Sequence, residues 1–236
     1  MTYFAAVVFD MYGTLTPSWP RSYWDEQKRS CAGPLGIPAD VWVEELDATW
    51  HERICGHYGG LSETLAAVAA RLGFSPTEAQ LAAAVADRHA SYRGFQRLRP
   101  DALETLRRLR ASGLKLALVS DCTAELPETW EALELAELFD ATVFSSRERT
   151  RKPDPRLFRA AAERLGVAPE QCLYVGDGGG DELAGSAAVG MLPVLLAGQD
   201  WADNHAPGRP EQEWSGLRIA TLSEIPGLLA AQTAAA

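Results

Sequence analysis

Two kinds of hydrophobic pattern share this chain. Short, mostly apolar runs occupy residues 3–9, 115–120, 141–145, 172–176 and 192–197. Runs of that length, rich in β-branched and aromatic residues, predict strands buried on both faces of a parallel sheet. Between the later runs, apolar residues recur at three- and four-residue spacing. That spacing predicts helices from 102 to near 113 and over 126–138, 156–166, 181–189 and 224–230, with a last short strand over 217–221. Alternation of strand and helix predicts an α/β fold: a doubly wound, Rossmann-like parallel sheet with helices on both faces.

Residues 16–95 follow only the helical pattern. Pro17 and Pro20 break the chain after the first strand, and helices are expected over 22–31, 40–54, 62–72 and 77–92. Val41, Leu46, Trp50 and Ile54 recur at helical spacing, as do Leu65, Val68, Ala69 and Leu72. The expected division is an α/β core from residues 1–16 and 96–236, with an all-helical cap inserted over 17–95. Trp19, Trp24, Trp42 and Trp50 crowd the first half of that insert and are expected in its core. The polar, Pro- and Gly-rich stretch 200–216 predicts a long loop, and the Ala-rich end is expected to fray.

Composition narrows the function classes. The 236 residues carry a formal net charge of −10, which argues against a nucleic-acid-binding surface without excluding a local site for one small anion. No apolar run approaches membrane-spanning length. The first run has no basic segment before it and ends in Asp10, so it is read as a core strand rather than a secretory leader. Cys31, Cys55, Cys122 and Cys172 form no CxxC pair, which suggests a reducing cytoplasm.

Chemistry-bearing residues gather at the expected strand ends. Asp10 closes the first strand, with Gly13 allowing a sharp change of direction. Ser120 closes the second, Asp177 the fourth, and Lys152 lies on the connection after the third. Parallel strands present these ends on one edge, where open α/β sheets bind ligands. The segments Asp10-Met11-Tyr12-Gly13-Thr14, Val119-Ser120-Asp121, Lys152-Pro153-Asp154-Pro155 and Gly176-Asp177-Gly178-Gly179-Gly180-Asp181, in that order, resemble the haloacid dehalogenase-like hydrolase superfamily. The likeness covers residues 1–15 and 96–200, and the insert matches the position of that family's first-type cap.

The resemblance implies a hydrolase in which Asp10 is the nucleophile. Tyr12 and Thr14 would complete its catalytic loop, and Ser120 and Lys152 would hold the transferring group. Mg²⁺ would be bound by Asp10, the Tyr12 carbonyl, Asp177 and Asp181. The expected substrate is a small phosphate ester, cleaved through an aspartyl-phosphate. Converging carboxylates raise one another's pKa, so a hard divalent cation is their natural compensation. Asp121 stands beside the site, and the turn carrying Arg53, His57 and Tyr58 is expected to touch substrate. His51, Cys55 and His57 lack the fourth ligand and the spacing of a zinc site.

Two positions depart from the family's phosphatases. Where their second aspartate serves as general acid and base, this chain has Tyr12, whose ordinary pKa of about 10 suits neither role at neutral pH. Asp121 stands where asparagine is common. The Asp-x-Tyr-Gly-Thr form is also that of the metal-free 2-haloacid dehalogenases, which is the alternative reading. Against it, the fourth segment carries two aspartates, and no arginine lies between Ser30 and Trp50; Arg21 and Arg53 remain as substitutes. Phosphonate cleavage would need a cap lysine, and Lys28 is the only one in the insert. A catalytically weak, ligand-binding or regulatory relative that lost its acid at Tyr12 is the remaining alternative.

Overall fold

A computed structural model describes residues 4–198 and 214–234. The elements, in chain order, are β1 (Ala6–Phe9), then helices α1 (Arg21–Arg29), α2 (Ala32–Leu35), α3 (Ala39–Ala48), α4 (Trp50–Ile54), α5 (Leu61–Arg71), α6 (Glu78–Tyr92) and α7 (Ala102–Ala111). They continue with β2 (Lys115–Ser120), α8 (Glu125–Thr129), β3 (Ala141–Phe144), α9 (Ser145–Glu148), α10 (Pro155–Leu165), β4 (Cys172–Gly176), α11 (Glu182–Ala188), β5 (Leu192–Leu196), β6 (Leu217–Ile219) and α12 (Ile225–Ala234). The predicted loop over 200–216 lies mostly outside the described residues; of the end expected to fray, α12 continues through Ala234 and only residues 235 and 236 lie outside them.

The strands form one six-stranded sheet in the order β3-β2-β1-β4-β5-β6, and every neighbouring pair is parallel. Alternate residues feed opposite faces, as strand geometry requires. Val7, Phe9, Leu116, Leu118, Leu173 and Val175 pack with Leu106 and Leu109 of α7 and Ile225 of α12. Ala6, Val8, Ala117, Val119 and Tyr174 pack on the other face with Leu157, Phe158 and Ala161 of α10 and Leu183 of α11. Both faces are therefore dry, which is why the strands read as continuous apolar runs. The sheet order reverses at β1, between β2 and β4, so Asp10 sits at the switch point where such sheets open a crevice.

Helices α1–α6 lie between β1 and β2 in the chain. Cys31, Leu35, Trp42, Leu46, Leu61, Leu65 and Val68 form a core of their own. Only Trp42 of the four tryptophans joins it. Trp19 and Trp24 pack instead against the sheet's cluster, around Phe95. The expected single helix over 40–54 is two. Thr49 donates its hydroxyl to the Glu45 carbonyl (2.7 Å), a side-chain bond that competes with the helical ladder, and the chain restarts as α4. The expected helix over 126–138 likewise stops at Thr129, whose hydroxyl bonds back to the Glu125 carbonyl (2.7 Å), and continues as isolated turns. Helix α2 was not anticipated.

Candidate active site

The chain leaves β1 in one wide turn, Met11–Leu15, closed by the Thr16 amide donating to the Met11 carbonyl at 3.0 Å. Gly13 takes φ 81°, a left-handed value that a side chain would resist. Arg99 clamps the turn from below, donating to the Thr14 and Gly13 carbonyls at 2.9 Å each. This holds Asp10 in place, buried to 5 % exposure.

Lys152 Nζ lies 2.5 Å from both Asp10 Oδ1 and Glu182 Oε2. Glu182 also accepts from the Tyr174 hydroxyl (2.7 Å) and the Gly178 amide (2.9 Å), so both its oxygens are engaged. Gly176 makes room for this: a Cβ there would stand 2.0 Å from Glu182 Oε1. Asp177 accepts from the Gly179 amide at 2.9 Å. Carboxylate oxygens of Asp10, Asp177 and Glu182 lie within 4.8 Å of one another, all three residues buried.

Burial pushes the Asp10 carboxyl up to about 7, with the Glu182 charge adding to the rise and Lys152 opposing both. Burial also raises Glu182 against the pull of Lys152. Burial alone would lower the Lys152 ammonium, but Asp10 and Glu182 hold it well above its ordinary value, so it stays charged. Lys152 thus bridges two of the three crowded acids. Carboxylate oxygens in that number suit a hard divalent ion, so the donor set fits Mg²⁺, with Asp10 and Asp177 as the side chains to hold it. Glu182 is the anchor of Lys152.

Sequence reasoning missed Glu182. It expected Asp181 as the acid, but Asp181 takes a left-handed backbone (φ 54°) at the N-terminus of α11 and stands outside both the cluster and the cavity. Successive helical residues point about 100° apart, so at this position only Glu182 turns inward. The signal was present in its place immediately after Asp181.

A cavity of about 110 Å³ opens above Asp10 and is lined by Tyr12, Asp121, Lys152, Asp177 and Glu182 from the sheet side. Trp24, Trp50, Arg53, Arg88 and Tyr92 line it from the insert. Of the turn expected to touch substrate, only Arg53 lines the cavity. His57 is exposed and Tyr58 half-buried, because the end of α4 docks on α9, with Ser145 Oγ donating to the Ile54 carbonyl at 2.8 Å. Ser120 and Thr14 are fully buried below the cavity floor rather than on it. Asp121 accepts from the Lys152 amide (3.0 Å), and burial raises its carboxyl against the Lys152 charge. The Tyr12 hydroxyl is hydrogen-bonded to that of Tyr92, and burial raises both phenols well above 10.0. Tyr12 is thus no proton donor for the cavity at neutral pH.

A family model described as haloacid dehalogenase-like hydrolase matches residues 4–188. The chain is 31% identical over 197 residues to the glyceraldehyde 3-phosphate phosphatase of Methanopyrus kandleri, covering 81% of this chain and 83% of that one. It is 32% identical over 198 residues to the (S)-2-haloacid dehalogenase of Xanthobacter autotrophicus, covering 81% and 74%. Among solved structures, the 2-haloacid dehalogenase of Pseudomonas syringae pv. Tomato superposes with a TM-score of 0.68 at 23% identity, over 97% of this chain and 99% of that chain. That last likeness is one of fold.

Proposed function

The chain belongs to the haloacid dehalogenase-like hydrolase family, and from that premise we propose that it is a Mg²⁺-dependent phosphatase of small phosphate esters. The observation that carries this reading is the convergence of three buried carboxylates, Asp10, Asp177 and Glu182, at the sheet edge, with Lys152 bonded to Asp10 and Glu182. A bound Mg²⁺ would supply the missing positive charge and let an anionic phosphate approach an anionic nucleophile. The helices α1–α6 act as the cap that covers the site.

Asp10 attacks phosphorus, the bond from phosphorus to the ester oxygen breaks, and an aspartyl-phosphate forms. Lys152, fixed by Glu182 and Tyr174, holds its ammonium against the nucleophile and offers charge to the transferring oxygens. Water then cleaves the acyl-phosphate, returning Asp10 and inorganic phosphate. The cap aromatics Trp24 and Trp50 exclude bulk water.

A specific observation also favours a second reading. With Tyr12 sealed against Tyr92, position 12 has no general acid, and halide displacement needs none. In that chemistry Asp10 attacks carbon, the carbon–halogen bond breaks, halide departs, and water hydrolyses the ester. A panel of phosphate esters and 2-haloacids, assayed with Mg²⁺ and with chelator, decides between them. Phosphate release lost in chelator supports the phosphatase; halide release that persists in chelator overturns it.

A further inference from the structure

We infer that the cap wall of the cavity is a subsite for a carboxylate, with Arg53 as its receptor, so that the substrate is a short phosphate ester that also carries a carboxylic acid. This inference rests on the phosphatase reading.

Arg53 is 6% exposed. It donates one Nη to the Leu46 carbonyl at 2.7 Å, and its Nε has no protein acceptor. Its guanidinium stands 5.9 Å from the centroid of the Trp50 ring. The other two cap cations on the cavity wall are matched. Lys28 Nζ lies 2.8 Å from Asp25 and 2.6 Å from Asp47, and Arg88 lies 2.7 Å from Glu125. Arg53 has no carboxylate within ion-pair distance among the described residues. Burial pushes its pKa down to about 10 against the pull of Glu125 and Asp47, with the neighbouring Arg88 adding to the fall.

A guanidinium held nearly dry with an unmatched charge and an idle donor is costly by itself, and the cost is recovered when an anion arrives. Arg53 lines the cavity, so an anion that meets its guanidinium must enter with the ligand. One unmatched positive charge calls for one negative charge, and a planar carboxylate suits the planar guanidinium fork. A second phosphate would bring nearly two charges into a wall that already holds Asp47. The opposite wall, with Asp10 and Lys152, takes the phosphate. A cavity of about 110 Å³ keeps the linker between the two groups short.

The test compares phosphoglycolate with 2-hydroxyethyl phosphate, which replaces the carboxylate by a hydroxymethyl group. For the wild type with Mg²⁺, kcat/KM should favour phosphoglycolate by about 10–100-fold, the range for one charge-assisted hydrogen-bonded contact. Arg53→Met should collapse that ratio towards one, and Arg53→Lys should restore part of it. Calorimetry on the Asp10→Asn variant should show tighter binding of phosphoglycolate than of 2-hydroxyethyl phosphate. The wild-type ratio needs no variant, so a misfolded Arg53→Met leaves the test standing. Hydrolysis of both esters at similar kcat/KM, or a ratio untouched by Arg53→Met, overturns the subsite and leaves the phosphatase reading intact. Turnover of neither ester, with no binding to Asp10→Asn, overturns the phosphatase reading and this inference with it.

Discussion

The ion pair between Arg88 and Glu125 ties helix α6 to α8, which follows β2, and it should dominate the acid sensitivity of the fold. Both residues are buried, at 6% and 2% exposure, with Arg88 Nε 2.7 Å from Glu125 Oε1. Burial alone would raise the Glu125 carboxyl. The Arg88 guanidinium more than offsets it, with the Thr123 side chain and Arg53 helping, and carries it from 4.5 down to about 2. A carboxyl depressed on folding stabilises the protein fully above its unfolded pKa, and that stability is lost as pH falls through the folded value. That depression corresponds to about 3 kcal/mol at neutral pH, falling to about 2 kcal/mol at pH 3.5. Breaking a buried pair by removing one partner costs about 3–5 kcal/mol, which agrees. Glu125→Gln keeps the shape and removes the charge. Urea unfolding should find it less stable than wild type by about 3 kcal/mol at pH 7, with the gap narrowing to about 2 kcal/mol at pH 3.5. A gap below about 1 kcal/mol at pH 7, or one of constant size across this range, would refute the reasoning.

Three further outcomes follow from the site. Asp10→Asn should lose turnover on every substrate while keeping the wild-type circular dichroism spectrum and a cooperative melt; residual activity above contamination would remove Asp10 as nucleophile. Mg²⁺ at about 100 times its Kd should stabilise the protein by about 2.7 kcal/mol, raising the melting temperature by about 5–10 °C. Asp177→Ala should abolish that rise and Asp181→Ala should keep most of it, so equal losses in the two variants would return Asp181 to the metal site. Rates on a series of phosphate esters should fall as leaving-group pKa rises, because a positioned acid is worth about 10²–10⁴-fold and Tyr12 provides none. A flat series would mean that another group supplies the proton.

The sheet and its edge could be read from the chain because each strand is buried on both faces and each carries its polar residue at its end. Asp10, Lys152 and Asp177 meet for that reason alone. Asp181 and Glu182 could not be told apart in this way. Which of two adjacent acids faces the site depends on where α11 begins, and that is set by Gly178 and Gly180 at positive φ and by the left-handed Asp181. The cap was harder still. Thr49 interrupts a pattern that is helical throughout, and the break separates α4, which carries Trp50 and Arg53 on the cavity wall, from α3. The periodicity of residues 40–54 holds no trace of the break, since a threonine bonding back to a carbonyl is neutral to the apolar spacing. His57 and Tyr58 looked equally suited to substrate contact. Only the docking of α4 against Ser145 decides that Arg53 faces inward and they do not.

Tyr12 shows how one position can be given to packing instead of chemistry. Its ring lies edge-on to Trp24, with centroids 5.9 Å apart, and its hydroxyl meets that of Tyr92 on α6. Trp24 in turn stacks on Phe95 at 4.0 Å, so the turn after β1 is joined to α1 and α6 through one aromatic cluster. An aspartate at position 12 is too short to reach Tyr92. It would leave a buried hydroxyl unpartnered, at a cost of about 1–3 kcal/mol, and open a gap beside Trp24. Whatever proton transfer such an acid restored would therefore come with looser packing of α1 and α6 on the turn. In this chain the contact between α1, α6 and the turn after β1 occupies position 12, so the phosphatase reading predicts that substrates whose leaving groups need little protonation should suit the site best.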